Sequence, residues 1–176
     1  MRLTDEELKD VLLEALQNKI LPHLGTLGFK PATKPKPGVF PRKYARRSTD
    51  RIDLLNFQFD KYGRASFTIN FRSLENVSDI AKFRPGWGHA LYGNCYFRAS
   101  DSRFGAKWFS LGLLGRSFLR DRILSNLILR VRDRLDDVSR FLSGGPPSPF
   151  LREGGLWDGK MVDETWPAPP KRRLSR

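Results

Sequence analysis

The chain has 176 residues, and its 39% hydrophobic content is enough to build the core of one domain. No stretch approaches the roughly 20 consecutive apolar residues of a membrane-spanning helix, and the polar start MRLTDEELKD is unlike a signal peptide. We therefore expect a cytoplasmic protein that does not enter the membrane. The single cysteine, Cys95, agrees with a reducing compartment.

The positive charge is large and unevenly distributed. Thirty-two Lys and Arg against 19 Asp and Glu leave a net charge of +13. Residues 28–47 hold seven basic residues and no acidic one, so more than half of the excess lies in this short segment. Such a balance favours contact with something acidic: nucleic acid, an anionic membrane surface or an acidic protein.

A first helix is predicted to begin at Thr4. Thr4 and Glu7 have the spacing of a capping box, in which each side chain accepts a hydrogen bond from the other residue's backbone N–H. Apolar residues then recur with the spacing of one buried helical stripe: Leu8, Val11, Leu12, Ala15, Leu16 and Ile20. Because Pro22, Gly25 and Gly28 weaken a helix, we expect the helix to end between Leu21 and Leu24.

The basic segment follows, with the sequence KPATKPKPGVFPRKYARR over residues 30–47. Its four prolines remove backbone donors and disfavour a central strand. We predict an exposed, semi-rigid loop from Pro31 to Pro37. Residues 39–46 are predicted to form an edge strand, since their aromatic and branched residues favour a strand and their charges discourage further pairing.

The next stretch, LLNFQFDKYGRASFTINFR, alternates apolar and polar side chains. Two strands, 51–59 and 64–72, around a turn that contains Gly63 explain this period of two. Their odd-numbered positions form a core face, and their even-numbered positions carry mostly amides and hydroxyls. We expect helices to cover the first face and leave the second to solvent or, because short amides suit fixed hydrogen bonds, to a partner.

Later elements are a turn at residues 84–88, a strand near Cys95 and Phe97, a strand at 106–113, and a long helix at 117–143. On that helix, Arg132 is expected to pair with Asp136, and Asp136 with Arg140. Gly144-Gly145-Pro146-Pro147 ends the helix and begins a Pro/Gly-rich tail, 144–176. The prediction is an α+β domain, 1–143, whose antiparallel sheet packs both terminal helices on one face.

Leu27-Gly28-Phe29, Asn56-Phe57-Gln58 and Phe67-Thr68-Ile69-Asn70 occur in the order shown by a bacterial family, domain of unknown function 4304, which the chain resembles. Arg98 and Trp108 are similar to its later arginine and tryptophan. The resemblance covers residues 8–142, without the Pro-rich insert at 31–41. It implies a small antiparallel α+β domain with no established catalytic centre. Because some members look like immunity proteins of bacterial toxin systems, it also implies a binding function.

Catalytic chemistry has few candidate residues. Cys95 with His89 or His23, oriented by Asp101, lacks the surroundings of a known nucleophile, and these residues lack the paired spacing of a zinc site. Asp53, Asp60 and Lys61 are the candidates for a metal-dependent nuclease, although Asp60-Lys61 also suits a hairpin turn. We expect no catalytic residue, no bound metal and no cofactor.

The sequence favours a non-catalytic protein that binds an acidic protein, such as an immunity protein that blocks a toxin. The alternative is a nucleic-acid-binding module in which Phe40 and Tyr44 stack on bases, and a metal-dependent nuclease is third. The predicted binding residues belong to the basic segment and the polar hairpin face: Lys30, Lys34, Lys36, Phe40, Arg42, Lys43, Tyr44, Arg46, Arg47, Asn56, Gln58, Asn70 and Arg72.

Overall fold

One antiparallel sheet with helices on one face makes up the described part of the computed structural model, which is residues 3–75, 96–101, 108–112 and 119–154. The helices are α1 (Asp5–Ala15), α2 (Leu21–Thr26) and α3 (Arg120–Leu142), and a π-helical turn (Leu16–Ile20) joins α1 to α2. The strands are β1 (Lys30–Pro31), β2 (Lys43–Arg47), β3 (Ile52–Phe59), β4 (Ser66–Leu74), β5 (Tyr96–Ala99), β6 (Phe109–Ser110) and β7 (Leu151–Gly154). The predicted α+β class is confirmed.

The hairpin of β3 and β4 is the centre of the sheet. The strand order is β1-β2-β3-β4-β5-β7, and β6 pairs with β4 beside β5. Phe57 lies opposite Ile69, as the alternation predicts. In the connecting turn, the Asp60 carboxylate accepts a hydrogen bond from the backbone N–H of Tyr62 at 2.8 Å, and Gly63 has a φ of +82°. Glycine suits this left-handed conformation because it has no Cβ.

The core lies between the helices and the odd-numbered face of the hairpin. The stripe of α3 is buried, and so are the facing residues of β3 and β4: Leu55, Phe57, Phe67, Ile69, Phe71, Leu127, Val131, Leu135 and Val138. The Phe57 ring lies 5.2 Å from the Phe40 ring and 5.7 Å from the Phe67 ring, between centroids. Burial of each such ring contributes about 1.5–3 kcal/mol before the entropy cost of folding.

The first helix extends further than predicted. Its capping box is present, since the Glu7 backbone donates to Thr4 Oγ1 and the Thr4 backbone donates to a Glu7 carboxylate oxygen. Pro22 lacks a backbone N–H, and its ring would clash with the carbonyl four residues earlier in a regular α-helix. A π-helical turn precedes this proline, and the helical structure continues beyond it. The predicted end between Leu21 and Leu24 is therefore wrong: helical structure continues to Thr26.

The basic segment has two strands rather than one. Residues 43–47 form β2, and the short β1 pairs with it outside the sheet centre, with Lys30 opposite Ala45. The edge position predicted for residues 39–46 therefore belongs to β1. On α3, Asp136 accepts a hydrogen bond from His23 Nε2 at 2.8 Å, and Arg140 pairs with Asp137. Both ion pairs predicted for Asp136 are wrong: His23 of α2 bonds to Asp136 in place of Arg132, and Arg140 pairs with Asp137 in place of Asp136.

Residues 144–154, predicted as the start of the tail, return to the sheet. Leu151–Gly154 form β7 and pair with β5. Ser148 donates a hydrogen bond to Asp137, and the Arg134 guanidinium lies 3.3 Å from the centroid of the Phe150 ring. These contacts hold the segment against α3 despite its prolines. The predicted turn at 84–88, Cys95, His89 and residues 155–176 of the tail lie outside the described residues.

Candidate functional site

Strand β2 divides the basic segment between two ends of the sheet. The Ala32 backbone N–H donates to the Lys43 carbonyl, and the Phe57 N–H donates to the Arg42 carbonyl. The loop 33–42 therefore begins and ends near the β3–β4 turn. Arg47 lies at the other end of β2, about 13 Å from Lys43 along the strand. The segment is thus not one continuous basic surface.

Phe40 and Tyr44 belong to the core. Only 4% of Phe40 and 1% of Tyr44 is exposed, and both rings pack against Phe57. Burial raises the pKa of Tyr44 well above its usual range, and its hydroxyl has no hydrogen-bond partner in the described residues. The prediction that these two rings are exposed and can stack on bases is therefore wrong, because both rings pack into the hydrophobic core against Phe57.

Arg46 belongs to a buried cluster at the far end of β2. Its guanidinium contacts the fully buried Asp53 at 2.7 Å, donates to Ser139 Oγ at 2.8 Å and lies 4.8 Å from the Phe29 ring centroid. Ser73 also donates to Asp53, at 2.9 Å. The cluster joins β2, β3, β4 and α3, so the geometry gives Arg46 and Asp53 a structural role.

The acidic residues weighed for a nuclease do not converge. Asp53 is engaged in the buried cluster, and Asp60 accepts a hydrogen bond from Arg64 Nη2 at 2.7 Å. That bond holds the pKa of Asp60 below its ordinary value and the pKa of Arg64 above its own. Within the described ranges, no group of three or more His, Cys, Asp or Glu could hold a metal ion. No described helix is long and apolar enough to cross a membrane.

The β3–β4 turn presents an aromatic ring that the sequence analysis did not select. Tyr62 is 74% exposed, the largest value among the exposed large hydrophobic residues of the described chain. Lys61 Nζ lies 4.9 Å from its ring centroid and the Arg64 guanidinium 5.8 Å from it. The sequence did contain a signal, because a side chain at a hairpin turn has little sheet surface to pack against.

The loop 33–42 adds further cations at the same end of the sheet. Lys34, Lys36 and Arg42 are exposed, and the Arg42 guanidinium lies 5.4 Å from the ring centroid of Phe59, the last residue of β3. Lys34 and Lys36 form no ion pair with a described residue. We name this set the basic turn surface; it consists of Lys34, Lys36, Arg42, Lys61, Tyr62 and Arg64.

The even-numbered face of the hairpin is buried at its centre. Asn56, Gln58, Thr68 and Asn70 are at most 7% exposed. Asn70 Nδ2 donates to Gln58 Oε1 at 3.1 Å, and Arg98 Nε donates to Asn70 Oδ1 at 3.1 Å. The expectation that this face is left to solvent is wrong at these positions. The Gln58–Asn70 bond satisfies part of the buried amides across the strands, whereas the Thr68 hydroxyl has no hydrogen-bond partner among the described residues.

The remaining predicted binding residues occupy separate positions. Lys30 and Arg47 are exposed, at the β1 edge and the far end of β2, whereas Lys43 and Arg72 are half-buried. Lys43 lies opposite Asn56 and Arg72 lies opposite Leu54 on the even-numbered face. That face also carries the buried Ile52, Leu54 and Leu74. Their apolar character was the sequence signal that this face would not be solvated throughout.

Comparison with known proteins adds no relative: the chain matches no protein-family model, no curated protein and no solved structure. The resemblance to domain of unknown function 4304 therefore stays an expectation that rests on short motifs.

Proposed function

We propose that the protein binds single-stranded nucleic acid through the basic turn surface. The observation that carries this proposal is Tyr62, an exposed ring with two cations beside it at the end of the sheet that also holds Lys34, Lys36 and Arg42. Single-strand binders combine these two features, since bases stack on aromatic rings while Lys and Arg neutralise phosphates.

The arrangement favours a single strand over a duplex. Bases of a single strand are free to leave their stack and contact an isolated ring, whereas paired bases present only their edges in the grooves. The residues of the basic turn surface lie on a turn and a loop, and none of them belongs to a helix that could enter a major groove. Sequence preference is expected to be small because stacking accepts every base.

Binding of an acidic protein, including a toxin in an immunity complex, is the second candidate. The net charge of +13 would speed association with either kind of acidic partner. However, Asn56, Gln58 and Asn70, which we expected to make directional contacts, are buried. The exposed part of the predicted site is therefore cationic, and the turn adds the exposed ring of Tyr62. This composition suits phosphates and bases better.

Fluorescence polarisation tests the proposal directly. The full-length protein is titrated into labelled single-stranded DNA and RNA of about 12 nucleotides, a length within the range of single-strand binding sites, and into duplexes of the same sequence. We expect tighter binding to the single strands, and affinity that falls with salt because counterions are released. The Lys34→Glu/Lys36→Glu variant should lose most of the affinity.

The charge-matched control is Arg122→Glu/Arg132→Glu, which reverses two exposed charges on α3 outside the basic turn surface. It should change affinity much less than the Lys34→Glu/Lys36→Glu variant. Equal losses in both variants would mean that net charge alone drives binding. Absence of binding at low salt would reject the proposal and leave the acidic protein as the candidate partner.

A further inference from the structure

A second surface has free cations, in a groove between the π-helical turn and α3. Its volume is about 350 Å³, and its lining residues are Lys19, Ser125, Ile128, Leu129 and Arg132. Ile128 is buried and forms the floor, whereas the other lining residues are exposed. The groove is therefore shallow, and it can cover one side of an occupant but cannot enclose it.

The two cations of this groove have no ion pair with a described residue, whereas most arginines of α3 do. Arg130 pairs with Asp101 at 2.7 Å, Arg134 with Asp137 at 2.6 Å, and Arg140 also with Asp137. In contrast, Lys19 and Arg132 form no ion pair or hydrogen bond with any described residue. Two positive charges on opposite sides of one groove are thus available to an external carboxylate.

Leu129 supplies an apolar contact between these charges. It is 55% exposed, although a solvent-facing position of a helix is normally polar. Leu129 and the buried Ile128 make an apolar strip, and the positions of Lys19 and Arg132 place a cation from each helical segment at its border. Grooves of this kind between two helical segments receive the apolar side of a third helix.

We propose that this groove docks an amphipathic helix of an acidic partner protein. The partner would place a leucine-like side chain on Ile128 and Leu129, and a carboxylate near each of Lys19 and Arg132. The shallow shape favours a helix lying on the surface over a small molecule, which would need enclosure. Charge complementarity selects an acidic helix over a basic or neutral one. This inference does not depend on the nucleic-acid proposal, because it uses none of the same residues.

A synthetic peptide serves as the probe. It is a labelled helix of about 16 residues, long enough for helicity when stapled, with Leu on one face and Glu on both sides of that face. A matched peptide carries Lys in place of every Glu. Fluorescence anisotropy with the full-length protein should show binding of the Glu peptide with a Kd of about 10–100 µM, as expected for few anchoring side chains, and much weaker binding of the Lys peptide.

Variants then locate the binding. Lys19→Glu/Arg132→Glu should weaken the Glu peptide by about tenfold or more and strengthen the Lys peptide, a charge swap that a general loss of folding cannot produce. Leu129→Ala should weaken both, whereas Arg122→Glu and Tyr62→Ala should leave the Glu peptide within about twofold of the parent, since neither lies in the groove.

Three results would overturn the proposal. The first is that the Glu peptide does not bind. The second is that the Lys19→Glu/Arg132→Glu variant binds the Glu peptide as tightly as the parent. The third is that this variant loses binding to anionic phosphatidylserine vesicles but not to the Glu peptide. The last result would assign the groove to a lipid surface. Circular dichroism of each variant confirms folding, which exposed substitutions of this kind seldom disturb.

Discussion

The two ends of β2 carry the same kind of residue in opposite environments. At one end, Arg46 is held by the buried Asp53, by Ser139 and by the Phe29 ring. At the other end, Lys34 and Lys36 lie on an exposed loop at the same end of the sheet as the 74% exposed Tyr62. A run of basic residues in a sequence therefore contains both structural and available charges. The exposed charges are the ones that can reach a ligand.

The largest expected effect comes from breaking the buried end. Asp53→Ala leaves the Arg46 guanidinium without its carboxylate, and loss of one partner of a buried pair costs about 3–5 kcal/mol of unfolding free energy. Urea denaturation at pH 7 measures the change. The matched Asp60→Ala variant removes the more exposed pair with Arg64 and should cost much less. A comparable loss in both variants would contradict the distinction between the two ends.

The next largest effect is on ligand binding at the basic turn surface. Tyr62→Ala should weaken single-stranded DNA binding by about 1–3 kcal/mol, the usual contribution of one stacked base, and Tyr62→Phe should retain most of the affinity. Fluorescence polarisation gives the affinities and urea denaturation the stability. Because Tyr62 is exposed, its removal should change stability by less than about 0.5 kcal/mol. Unchanged affinity in Tyr62→Ala would remove the stacking role.

A smaller effect tests the core assignment of Tyr44. Its buried hydroxyl has no hydrogen-bond partner in the described part of the chain, and burial raises its pKa. Tyr44→Phe should therefore leave stability unchanged or raise it by up to about 1 kcal/mol, since an unsatisfied buried polar group carries a desolvation cost. Tyr44→Ala is the comparison and should be strongly destabilising. A clear loss of stability in Tyr44→Phe would show that the hydroxyl is bonded.

The smallest effect is on pH dependence at the turn. The Arg64 hydrogen bond lowers the pKa of Asp60, so the pair stabilises the fold above the ordinary carboxyl pKa and loses this contribution as pH falls below about 4. Asp60→Asn should flatten that part of the stability profile, measured by thermal unfolding from pH 7 to pH 3. It should also tighten single-stranded DNA binding, because it removes a negative charge and releases Arg64. Weaker binding would contradict this.

Local patterns accounted for most of the secondary structure. The capping residues Thr4 and Glu7 marked the start of α1, and the alternation around Gly63 predicted β3 and β4 within two residues of their ends. The stripe of α3 likewise identified its buried side. These features follow from the period of a helix or strand, which each residue's near neighbours determine.

The same local patterns did not predict contacts between residues that are far apart in the sequence. The Pro/Gly-rich composition of 144–154 indicated a tail, but β7 gains its hydrogen bonds from β5, about fifty residues earlier in the chain. Phe40 and Tyr44 had the spacing of stacking groups among charges, yet both are core residues. In each case a partner that is distant in sequence outweighed the local preference.

The sequence by itself determined the α+β class, the central hairpin, the long helix and the excess of positive charge. The tertiary structure alone decided which charges are paired, which aromatic rings are buried and that the polar hairpin face is largely enclosed. The physical reason is that periodicity and composition depend on neighbouring residues, whereas burial and ion pairing depend on residues that folding brings together from distant positions. Arg46, which is paired with Asp53, and Arg132, which has no ion pair with a described residue, are the same residue type and differ only in this respect.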